Sequence, residues 1–198
     1  MNIRIIALLI AFIALPTLAQ AADKAAATAA ATERATLLQT AVRGSNITSN
    51  SQEYQILPGV RAAERRSKEQ PQQTITRMGG GKLVETKGSF VVFSAPEQSQ
   101  ASVTSVNGTS YPTAVNASTG GIGIVPGTLN VRLKNMGNAA AVATEHGLEV
   151  VRIFAHLQTA FYRVKPGQDV VAAAAALAAD ARVESAEVEV IEHMSVPQ

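Results

Sequence analysis

GTLNVRLK (127–134), GNAAAVATEHG (137–147), LEVVRIF (148–154), TAFYRVK (159–165), GQDVVAAAAALAAD (167–180) and ARVESAEVEVIEHMSVPQ (181–198) read in turn as strand, helix, strand, strand, helix, strand. In the first, Leu129, Val131 and Leu133 alternate with Asn130, Arg132 and Lys134, the period of a half-buried strand. Asn138 reads as the N-cap of a helix over 139–146, which Gly147 stops in the left-handed region. Residues 148–154 and 159–164 form the central strands, joined by 155–158. Asp169 caps a second helix that is nearly all alanine apart from Val170, Val171 and Leu177. The last strand begins at Val183 and runs to about Val190. This order is the split β-α-β-β-α-β, or ferredoxin-like, arrangement of the α+β class. It predicts a four-stranded antiparallel sheet with both helices on one face.

An antiparallel sheet covered once alternates cleanly between apolar and polar. Here it does not. The second strand is apolar in both parities, with Leu148 and Val150 on one and Val151 and Ile153 on the other. In the third, Phe161 opposes Ala160, Tyr162 and Val164. Val151, Ile153 and Phe161 are therefore expected to form an apolar contact surface, covered by the rest of the chain or by a partner protein. A unit of this size with alanine-dominated helices buries little apolar area, so folding coupled to partner binding is expected.

Upstream, the pattern divides the chain further. Residues 82–86 and 89–93 flank Lys87-Gly88 as a hairpin, and 102–106 and 109–111 flank Asn107-Gly108 as a second. Residues 82–125 thus read as a small β-hairpin extension that packs on the domain at 126–198. Residues 22–81 read as a low-complexity, polar and partly disordered N-terminal region. A short amphipathic helix over 32–43 is its one regular element, with 45–81 as a loop or tether. Residues 1–21 carry Arg4, an apolar run from Ile5 to Leu15 and the small-residue site Ala19-Gln20-Ala21, the pattern of a signal peptide cleaved near Ala21. The run is shorter than the roughly 20 residues that span a bilayer and is broken by Pro16. A periplasmic or secreted protein is expected, with no membrane association after cleavage.

Composition narrows the chemistry. A formal charge of +2 gives no electrostatic case for nucleic acid. The absence of Cys removes thiol nucleophiles and cysteine metal sites. The histidines are His146, His156 and His193, and the aspartates beyond the signal are Asp23, Asp169 and Asp180, two of them at expected helix boundaries. No Ser-His-Asp set converges and no metal motif occurs, so no enzyme activity, cofactor or metal is expected. Gly120-Gly121-Ile122-Gly123 is too weak for a phosphate loop, because no strand-to-helix transition follows it.

The stretches GLEVVRIF (147–154), YRV (162–164) and LAADARVESAE (177–187) resemble the prodomains of subtilisin-like serine proteases, with Ala181 where that pattern has proline. Together with the signal peptide, the extra N-terminal region and the lack of a protease, the chain resembles the stand-alone external chaperones of secreted bacterial subtilisin-like proteases. The resemblance implies a subtilisin-like serine protease as partner. It implies that the sheet docks on the protease and that Glu187 and Glu189, two apart on one strand face, cap two of its surface helices. It also implies that the tail Glu192, His193, Met194, Ser195, Val196, Pro197 and Gln198 enters the active-site cleft as an extended inhibitory peptide. The alternatives are a dedicated inhibitor with no folding role and an exported structural or adhesive protein.

Overall fold

The computed structural model describes residues 31–32, 34–95 and 110–193. The expected signal peptide, the hairpin expected around Asn107-Gly108 and the tail from Met194 to Gln198 lie outside the described residues. The described fold is mixed α and β, built on two antiparallel sheets with few helices.

The first sheet is six-stranded and comes from the region read as a tether and a small extension. Helix α1 covers residues 34–40, close to the expectation. Strand β1 (Asn46–Ser49) turns at Asn50 and Ser51, at φ 50° and 62°, into β2 (Gln52–Glu64). Two consecutive left-handed residues match the twist of a two-residue hairpin. Helix α2 (Pro71–Arg77) follows, then β3 (Lys82–Lys87), β4 (Phe90–Ser94), β5 (Tyr111–Asn116) and β6 (Ile122–Ile124). The strands lie in the order β3-β4-β2-β5-β6, with β1 also on β2. The expected hairpin at Gly88 is present.

The loop reading of 45–81 is therefore corrected. The apolar points Ile47, Tyr54, Ile56, Leu57 and Val60 are all buried, and so are Ala62 and Ala63. Adjacent pairs such as Ile56-Leu57 and Ala62-Ala63 are buried together because β2 is covered on both faces, which erases the period of two. Pro58, with no N–H to give, falls where the β2–β5 register shifts between Ile56 and Arg61. Helix α2 opens with Pro71, and the Gln70 N–H donates to Gln73 Oε1 at 2.8 Å. Its Ile75 is buried against Ala63, Val91 and Phe93.

The second sheet follows the expected chain order. Strand β7 (Thr128–Leu133) leads through a 3-10 turn to α3 (Ala139–Glu145), then β8 (Glu149–Phe154), β9 (Thr159–Arg163), α4 (Val170–Ala178) and β10 (Val183–Val188). The order across the sheet is β10-β7-β9-β8, every pair antiparallel. Helix α4 packs on β10 and β7, and α3 beside β8. Asp169 caps α4, its Oδ1 accepting from Val171 N at 2.8 Å and Ala172 N at 2.9 Å. The expected cap at Asn138 is corrected. That residue already has helical angles, and Asn135 caps the preceding turn by accepting from Gly137 N at 2.8 Å.

Leu129, Val131 and Leu133 are fully buried, as the alternation requires. They share one core with Val142, Tyr162, Val170 and Leu177 of the second sheet and its helices, and with Ile47, Tyr54, Ile56 and Ala114 of the first sheet. The Tyr162 hydroxyl donates to the Ala139 carbonyl at 2.8 Å, bracing β9 against the start of α3.

Candidate docking interface

Register fixes which side chains share the face of the second sheet opposite its helices. One cross-strand row runs Glu187, Asn130, Phe161, Arg152, and the next runs Ser185, Arg132, Thr159, Phe154. A third joins Thr128, Arg163 and Glu149. Phe154 and Phe161 meet edge to face at 5.7 Å and 82°, and the Arg152 guanidinium sits 5.6 Å from the Phe154 ring centre. Arg132 pairs with Glu184 at 3.4 Å. The face is thus acidic along β10 and arginine-rich and aromatic along β9 and β8. Both phenylalanines are half-buried and Arg152 is exposed.

A β-bulge decides where the expected apolar residues point. Between Val150 and Arg152 the β8 register shifts, so Val151 and Arg152 together stand against Phe161. Ile153 then falls opposite Ala160, which is fully buried on the helix side. The expectation that Val151, Ile153 and Phe161 share one face is corrected: Phe161 lies on the open face, and Ile153 on the other side of the same edge strand. Val150, Val151, Ile153 and Leu157 are nevertheless 44–55% exposed, which makes the edge at β8 an apolar rim. The sequence lists Arg152 and Phe154 beside these residues, but only the bulge reveals that they carry the face.

The first sheet covers one margin of this face. Phe90 and Tyr111 overhang Thr128, Glu149 and Arg163 across a cleft of about 440 Å³. The turn between β1 and β2 reaches the other margin, where Asn50 N donates to Glu187 Oε2 at 3.0 Å. Glu187, expected to cap a partner's helix, therefore already holds a backbone amide of its own chain. Glu189 is half-buried beside β7, its N–H donating to the Thr128 carbonyl at 2.9 Å.

The expected tail is held at its root. Glu192 Oε2 lies 3.0 Å from the Tyr54 hydroxyl and 3.1 Å from Asn116 Nδ2, and the Thr119 hydroxyl donates to Oε1 at 3.1 Å. Burial pushes the Glu192 carboxyl upward, but these hydrogen bonds outweigh it and the net direction is down. His193 is exposed. Glu192 is therefore part of the body, which corrects its assignment to a free peptide. Tyr54, Asn116 and Thr119 were not legible as its partners because the tie joins positions 73 to 138 residues apart.

Elsewhere, His146 Nε2 lies 3.0 Å from Asp180 Oδ2, and Asp180 is bound by Arg182, which also pairs with Glu145 at 2.6 Å. Hydrogen bonds from Arg182 hold the Asp180 carboxyl well below the usual carboxylate range. The cluster ties the end of α3 to the turn before β10. Among the described residues, no group of three or more His, Cys, Asp or Glu side chains could hold a metal ion. Among the same residues, no helix is long and apolar enough to cross a membrane.

The model of the open reading frame 2 N-terminal domain matches residues 24–197. No curated protein matches the chain. A chain in a crystal structure described as the complex of Aeromonas sobria serine protease (ASP) and the chaperone (ORF2) is 27% identical over 47% of this chain and 96% of that chain, with a TM-score of 0.37.

Proposed function

The chain belongs to the family of the open reading frame 2 N-terminal domain, and from that premise we propose that it is a non-catalytic chaperone of a secreted serine protease. In this reading the four-stranded unit is a ferredoxin-like docking module similar to subtilisin prodomains, and the partner is a subtilisin-like enzyme. The chain is exported behind a signal peptide cleaved near Ala21. It stabilises the folding partner by binding its native form in preference to its unfolded one. The residues after Glu192 then occupy the active-site cleft until the complex is resolved.

The observation that carries the reading is the open face of the second sheet. It presents Phe154, Phe161 and Arg152 on the open side of a sheet whose other side packs against the core. Aromatic and arginine side chains together are what protein interfaces concentrate at their centres. The order β10-β7-β9-β8 with a helix after the first and third strands supports the ferredoxin-like assignment. Glu189 takes the helix-capping role, because Glu187 already holds Asn50.

Refolding a denatured subtilisin-like protease with and without the protein tests the proposal. A higher yield of active enzyme, after removal of the chaperone, is the expected result. Inhibition with no gain in yield would leave a dedicated inhibitor. Phe161→Ala separates the face from the tail. A half-buried ring of ~200 Å² that loses its last ~50 Å² to a partner contributes ~1 kcal/mol, or about a fivefold to tenfold change in Kd. Unchanged affinity would remove the sheet from the interface.

A further inference from the structure

Gly121 and Gly123 stand two apart at strand β6, and each has the chain's own C-terminal segment pressed against it. A methyl group on Gly121 would collide with the Glu192 carboxylate, and one on Gly123 with Val190 Cγ1. Ile124 and Ile191 exchange both backbone hydrogen bonds, at 3.0 and 2.9 Å. The segment therefore meets the outer edge of β6 through one antiparallel bridge, and the glycine pair that is no phosphate loop is the groove that seats it. From the opposite edge of the same sheet, Lys87 of β3 donates from Nζ to the Glu192 carbonyl at 2.9 Å. The six-stranded sheet thus curls until its two edges face each other across residues 190–192.

We propose that Glu192 is a positioning residue that locks this strap into the seam, so that the chain is held at one fixed point on the first sheet as far as His193. The proposal rests on the reading that this tail inhibits a protease, and it adds the element that aims it. A carboxylate suits the position because its two oxygens accept from Tyr54, Asn116 and Thr119, donors brought together by β2, β5 and the turn after β5. The turn is itself built for this. Asn116 Oδ1 accepts from Ser118 N and Thr119 N, and the Thr119 hydroxyl accepts from Gly121 N while donating to Glu192.

Two substitutions test it in the full-length protein, Glu192→Ala and Gly121→Ala, which displaces the carboxylate while leaving it in the chain. Amide hydrogen exchange is read first on the protein alone. Ile124 and Ile191 should exchange about tenfold faster or more, while Leu129 and Val131 of β7 keep their rates. Inhibition of a subtilisin-like protease is read next, beside a deletion of residues 193–198. Both substitutions should raise the inhibition constant about tenfold, with the refolding yield unchanged. Wild-type exchange at Ile124 and Ile191 in both variants would overturn the strap. Faster exchange with unaltered inhibition, where the deletion abolishes inhibition, would overturn the positioning role while the chaperone reading stands. A deletion that leaves inhibition intact would instead refute the inhibitory tail, and the aiming of it together with that reading.

Discussion

Replacing Tyr162 by phenylalanine removes one oxygen from the centre of the molecule. The side chain is fully buried, and its hydroxyl donates to the Ala139 carbonyl at 2.8 Å. Losing that bond costs ~1 kcal/mol, and leaving the carbonyl less satisfied raises the total to ~1–2 kcal/mol. In urea, with a slope of ~2 kcal/mol/M, the midpoint should fall by roughly 0.5–1 M and the slope should hold. Tyr162→Ala opens a cavity as well and should cost ~3–5 kcal/mol. The same side chain has a signature in alkali. Burial pushes its phenol from 10.0 up to about 12, so the folded state keeps a proton that the unfolded chain releases. A folded value above the unfolded one gives stability that is complete below pH 10 and lost as pH rises towards 12. Tyr162→Phe should lose stability at neutral pH and show a shallower decline through that alkaline window. Some decline will remain, because Tyr54 is shifted in the same direction, first by burial. A variant within ~0.3 kcal/mol of the parent at neutral pH, with the alkaline slope intact, would refute the bracing role of this hydroxyl.

Asp169→Ala should cost ~1 kcal/mol by urea denaturation, with Asp169→Asn largely sparing it, since the cap supplies two amides of a helix with few large side chains. Equal stability of the alanine variant and the parent would show that tertiary packing alone sets the start of α4. Glu69 governs an acid window. Hydrogen bonds from Arg77 and from Arg66 N lower its carboxyl from 4.5 to about 2. Its contribution is complete above pH 4.5 and fades as pH falls towards 2. Glu69→Gln should therefore flatten the stability–pH curve in that range, though not abolish it, because Asp180 and Glu145 are also lowered by Arg182. Superimposable curves would remove Glu69 from the acid response.

The C-terminal module was legible because its information is local. Leu129, Val131 and Leu133 alternate, Gly147 at φ +68° stops a helix, and Asp169 starts one. Three features escaped for definite physical reasons. Strand β2 is buried on both faces, so Ile56-Leu57 and Ala62-Ala63 carry no alternation to read. The bulge at Val151 inverts the side of every following residue on β8, and a run apolar in both parities gives no hint of where the inversion falls. The ties from Glu192 to Tyr54 and from Glu187 to Asn50 close over 137–138 residues, a distance at which pattern in one dimension carries nothing. Among the expected interface residues, Phe161 lies on the open face, Ile153 does not, and Glu192 is bound within the body.

The strap at the seam also constrains when the molecule can mature. Residues 190–192 seal one edge of a sheet whose first strand begins at Asn46, so that edge is closed only once a segment far downstream has arrived. Such sequence-distant closure slows folding and leaves strand edges open meanwhile. A chain in which residues 190–192 have not yet docked would hold an unsealed β6 edge, and their docking would be the step that seals it.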